Sequence, residues 1–99
     1  MKTNGKMAKT TGTIRITKLD LRKLDQAIRD QRKNGERAAR DGDKELAAQY
    51  ATDVEDLTYF RNAVARGDYD TARHAAYNMD TCVRDLIPTE MYNRLHPEN

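Results

Sequence analysis

Tryptophan is absent from this 99-residue chain, and phenylalanine occurs once. Aromatic residues make up 6% of the sequence, too few for a bulky core. A helical bundle needs only one apolar stripe per helix, so the 37% of apolar residues suffices for that architecture. The single cysteine, Cys82, excludes an internal disulfide framework and fits a reducing, cytoplasmic setting. Apolar runs are only a few residues long, which excludes a membrane span. No apolar run follows the basic N-terminus, so a secretory signal is not expected either. The length suits one small domain. Stability is expected to be modest unless the chain oligomerises or binds a partner.

The most strongly patterned stretch runs from Asp68 to Leu86. Tyr69, Ala72, Ala76, Met79, Val83 and Leu86 recur at steps of three and four, which predicts one helix with a single apolar face. Gly67 and Pro88 bracket it, and Asp68 stands where a capping side chain is needed. A preceding helix is expected from Lys44 to Arg66, with Leu46, Tyr50, Val54, Leu57, Phe60 and Val64 as its stripe. So short a connection at Gly67 makes these two helices antiparallel neighbours. Asp41-Gly42-Asp43 is the clearest break in the chain.

Before that break, Thr17 and Asp20 form a capping box, flanked by Ile16 and Leu21 as a hydrophobic staple. Leu21, Leu24, Ile28 and Gln31 then continue the helical spacing from Lys18 to about Lys33. Asn34-Gly35 is a plausible stop, although one Gly costs only ~1 kcal/mol and the helix can run on to Arg40. Thr13–Ile16 reads as an extended lead-in. Residues 1–12 read as a flexible basic arm with Lys2, Lys6 and Lys9, and Met1 and Met7 both look like starts. Pro88 favours the first turn of a short last helix reaching Leu95, with Met91, Tyr92 and Leu95 as apolar contacts. The expected fold is all-α: a small antiparallel bundle of three main helices plus a short C-terminal helix, in one domain spanning 13–99.

Two local resemblances fall in the central region. Arg66-Gly-Asp-Tyr-Asp-Thr-Ala72 resembles the inter-helix turn of a tetratricopeptide repeat. It covers seven residues and occurs once, and Ala76 stands where a large residue is expected. The same turn is similar to that of a histidine phosphotransfer domain, which implies a helical bundle. The alignment places Tyr77 at the phospho-accepting histidine and Asp80 at the following lysine, which argues against phosphotransfer.

Catalytic groups are sparse. Cys82 and His74 are eight residues apart, about 12 Å along a helix, too far to hydrogen-bond. Cys82 adjoins the apolar stripe and is expected in the core. His74 is expected at the surface, and His96 at a frayed end. Asp53, Glu55 and Asp56 crowd one helix but have no His or Cys nearby, and are expected to be solvated. Asp41-Gly-Asp-Lys-Glu45 lacks the length of an EF-hand loop. No Gly-rich phosphate loop occurs. The chain reads as a non-enzymatic protein without cofactor or metal.

Charge and tyrosine supply the functional leads. Residues 1–40 hold twelve Lys or Arg against four acids, +8, and residues 41–99 hold six against twelve, −6, summing to the net +2. Arg22, Arg29, Lys33 and Arg40 share one broad helix face, preceded by Arg15 and Lys18, and these six could hold phosphates. Asp25 and Asp30 interrupt that helix, and an Asp25–Arg29 ion pair is the competing expectation. There is no helix-turn-helix signature, zinc spacing or aromatic platform. Tyr59 and Tyr77 fall off the apolar stripes. With Arg73 and Asn78 they are candidates for a protein-binding patch, since Tyr beside Arg is typical hot-spot composition. The expectation is a protein–protein interaction module, in the manner of small phage or mobile-element accessory and inhibitor proteins. The alternative is a nucleic-acid-binding accessory protein using residues 1–40. Self-association is a further expectation, and a membrane partner is not.

Overall fold

The computed structural model describes residues 14–96. The expected basic arm lies outside the described residues, as does Pro97. Among the described residues five helices follow one another: α1, Lys18–Arg40; α2, Lys44–Ala65; α3, Tyr69–Asn78; α4, Thr81–Arg84; and α5, Thr89–Leu95. Among the described residues there is no strand. The protein is an all-α bundle, with α1 and α2 as a long hairpin and α3 packed against α2.

α1 begins where its capping box places it. The Thr17 hydroxyl accepts from the Asp20 amide at 3.1 Å, and the Asp20 carboxylate accepts from the Thr17 amide at 3.0 Å. Gly35 does not stop the helix. A Cβ there would sit 3.1 Å from the Tyr50 Cβ, so the missing side chain is what lets α1 and α2 approach closely.

The two sharp turns are built alike. Gly42 and Gly67 both have positive φ, a conformation that costs glycine nothing. Around them the Asp43 and Asp68 amides donate to the Ala38 and Ala63 carbonyls, each at 2.9 Å, closing the outgoing helix by a Schellman motif. Each Asp then caps the next helix, accepting from the amide of Leu46 or Thr71. One residue ends one helix and starts another, which leaves room only for an antiparallel return.

The core combines Leu24 and Ile28 of α1 with Leu57, Phe60, Ala63 and Val64 of α2 and Ala72 and Ala76 of α3. Met79, Val83, Ile87, Met91 and Leu95 complete it. Ile14 and Ile16 pack against it as an extended lead-in. α2 is about 33 Å long and α3 only about 15 Å, so the first half of α2 has α1 alone beside it. Consequently Leu46 of the expected stripe is exposed and Tyr50 half-buried.

Three expectations need correction. The helix expected from Asp68 to Leu86 is broken at Met79–Asp80, where both residues are extended, with ψ of 154° and 149°. Asn78, Asp80 and Thr81 favour caps over helix interiors. The Arg84 guanidinium seals the break by donating to the carbonyls of Ala76 (2.9 Å), Met79 (3.0 Å) and Tyr77 (3.2 Å). Beyond it Ile87, not Leu86, is buried, at 4% against 36% exposure. Cys82 is exposed rather than in the core, because the new helix turns Val83 inward and leaves its neighbour outside. Asp53 is not solvated either. It lies on the packed face of α2, nearly in line with Leu57, where Gln49 donates to it at 3.0 Å.

Candidate functional site

With Leu24 and Ile28 turned inward, the helical repeat of α1 dictates what faces out. Arg22, Arg29, Lys33 and Arg40 lie within about 40° of one another around the axis, opposite the core, along about 27 Å of helix. All four are exposed, as are Lys18 at the helix start and Arg15 before it. Among the described residues none of these six forms an ion pair. Arg29 donates to the neutral Gln26 amide oxygen at 2.7 Å, and Gln26 in turn donates to Asp30 at 2.8 Å.

Two of the four acids of α1 are answered from elsewhere, while Asp30 and Glu36 stay exposed, Glu36 on the same face as Lys33 and Arg40. Asp25 accepts both arms of the Arg61 guanidinium, at 2.9 and 3.4 Å, from α2. The expected Asp25–Arg29 pair is therefore replaced by a bidentate contact between helices. Asp20 is buried and pairs with Arg94 of α5. Burial pushes its carboxyl up, but the hydrogen bonds from Thr17 and the Arg94 charge outweigh this and hold it below the ordinary value. Sequence reasoning missed Arg61, Arg94 and Arg84. Arg61 and Arg94 are distant in the chain from the acids they meet, and no local spacing signals either pairing.

Tyr59 on α2 and Tyr77 on α3 are 57% and 79% exposed. Asn78, the last residue of α3, is exposed beside Tyr77. Arg73 is half-buried and occupied: it pairs with Asp70 and donates to the Leu95 carbonyl at 3.2 Å, tying the end of α5 to α3. His74 is exposed. His96 stacks on Tyr92 with ring centroids 4.4 Å apart, and one of its ring nitrogens lies 2.9 Å from the Tyr92 carbonyl.

Asp56 sits among like charges. Its own burial and the nearby Asp53, Glu55 and Asp80 push its carboxyl above the ordinary value. Among the described residues no group of three or more His, Cys, Asp or Glu is arranged to hold a metal ion. An open groove of about 490 Å³ is lined by Arg84, Asp85, Ile87, Thr89 and Tyr92. Its Arg84 is spent on the carbonyls of α3 and its Tyr92 on His96, so it offers few free polar groups. Among the described residues no helix is long and apolar enough to cross a membrane. Comparison with protein-family models, with curated proteins and with solved structures returns no match.

Proposed function

We propose that this chain is a non-enzymatic protein–protein interaction module, acting on another protein or a nucleoprotein complex in the manner of small phage or mobile-element inhibitors. The exposure of Tyr59 and Tyr77 carries this reading. In a domain with six aromatic residues, Phe60 is fully buried, and Tyr50, Tyr69 and Tyr92 are half-buried. Leaving two tyrosines in water forgoes core area that a thin-cored domain can ill spare. Large, stiff side chains with one polar end are what protein interfaces enrich.

The test is affinity capture from nuclease-treated lysate, comparing the wild type with a folded Tyr59→Ala/Tyr77→Ala variant. The expected result is a discrete, stoichiometric protein partner held by the wild type and lost by the variant. Retention of the same partner by the variant refutes the reading, as does the absence of any captured protein partner with and without nuclease.

A further inference from the structure

We propose that the outer ridge of α1 is a docking surface for duplex nucleic acid, held through its phosphates. This goes beyond the tyrosine-based reading and uses a different face of the molecule. Arg22, Arg29, Lys33 and Arg40 form a straight row with steps of about 10.5, 6 and 10.5 Å along the helix. Each is exposed and free of an intramolecular ion pair among the described residues.

The decisive feature is how Asp25 is handled, since of the four acids of α1 only Asp30 and Glu36 stay exposed and without an ion pair among the described residues. Asp25 is three residues after Arg22 and four before Arg29, the spacing at which a free carboxylate pairs with both. Arg61 holds it instead with both arms of its guanidinium, 36 residues along the chain. Asp20 is buried against Arg94. Arg61 thus acts as a positioning residue, keeping the Asp25 charge from pairing with the row, while Asp20 lies on the core side of the helix.

The chemistry of the row selects the partner. α1 carries no aromatic residue, so it has no platform on which single-stranded bases could stack. Nor does the row include the apolar centre that a protein interface needs. A line of charge alone suits a duplex backbone, which presents regular phosphates and asks for neutralisation without base contacts.

The experiment is a fluorescence titration of the full chain with a mixed-sequence DNA duplex of ~20 base pairs, its RNA counterpart and the single strands, at about 50 and about 200 mM salt. Four phosphate contacts predict a loss of affinity of about 150-fold between these salts. Arg22→Gln/Arg29→Gln/Lys33→Gln, leaving one contact, is expected to bind weakly and change only about 4-fold. Arg61→Gln is expected to weaken and flatten duplex binding by about one contact, and Arg61→Gln/Asp25→Asn to restore it. That rescue separates removal of charge from loss of fold. The DNA and RNA arms identify which duplex is preferred, and binding of either with this pattern supports the proposal.

Wild-type duplex binding that is undetectable at the lower salt overturns it. So does tighter binding of single strands, a triple variant that keeps wild-type affinity, or an Arg61→Gln variant that binds as the wild type does. Circular dichroism checks folding. If the triple variant does not fold, Lys33→Glu at its exposed site serves instead, with lost duplex affinity expected and unchanged affinity refuting. A protein partner lost through the tyrosines leaves this outcome untouched, so the two readings fail separately.

Discussion

Leu86 and Ile87 offer the sharpest test of how the C-terminal third folds. A single helix from Asp68 would put Leu86 on the apolar face, whereas the broken chain buries Ile87 and leaves Leu86 at 36% exposure. Ile87→Ala deletes three carbons from a site that is 4% exposed. At ~0.8 kcal/mol per buried carbon this is about 2.4 kcal/mol of lost transfer energy. Ile87 belongs to the same packed core as Val83 and Met91, and such a core fills the hole only partly, so the total is expected at about 3–4 kcal/mol. Leu86→Ala removes a side chain already partly in water and leaves no enclosed cavity, so about 1 kcal/mol or less is expected. Urea unfolding followed by circular dichroism measures both, as a shift in midpoint at constant slope. A Leu86→Ala loss equal to or larger than that of Ile87→Ala would show that the helix runs unbroken and that the turn at Met79–Asp80 is wrong. The difference is large against a total stability of about 5–15 kcal/mol, so the experiment resolves it.

Two further substitutions test the corrected surface. Because the Asp56 carboxyl is held above its ordinary 3.8, the folded state binds its proton more readily than the unfolded state, and stability falls as pH rises through that window. Asp56→Asn is therefore expected to stabilise the protein at neutral pH, with the gain vanishing in acid below the ordinary value; a destabilised variant at neutral pH refutes this. Cys82, being exposed, is expected to react with a thiol reagent in the native protein as fast as a free thiol, and Cys82→Ser to change stability by less than ~0.5 kcal/mol. Modification that requires denaturant would place the side chain back in the core.

Local chemistry is what made much of the fold readable. The capping box at Thr17 and the Gly-Asp turns at 42–43 and 67–68 depend on bonds between residues three to five apart, and such partners are visible in sequence. The break at Met79–Asp80 was half visible. Asn78, Asp80 and Thr81 are cap-forming residues, but the apolar spacing of three and four runs through them unchanged, and periodicity alone cannot show a turn that preserves it. Arg84, which seals that turn, acts on carbonyls up to eight residues earlier and has no recognised spacing.

The candidate surface follows the same division. The row from Arg22 to Arg40 is legible because all its members belong to one helix, but its electrostatic state is not. Local rules pair Asp25 with Arg29 for a gain of about 0.2–0.5 kcal/mol. A guanidinium that reaches the same carboxylate with two arms makes the stronger contact, and Arg61 does so from the neighbouring helix. Arg29 is thereby left to a neutral glutamine, and its charge stays available to solvent or to a partner. Asp20 follows the same logic through Arg94, 74 residues away. Neither contact changes the net charge of +2. They engage Asp25 and Asp20 with α2 and α5, while Asp30 and Glu36 stay exposed on α1 among an excess of basic side chains. Charge counted along the chain gives the size of the imbalance and the helical repeat gives its face, and only the packing of α2 against α1 determines that Asp25 meets Arg61 and not Arg29.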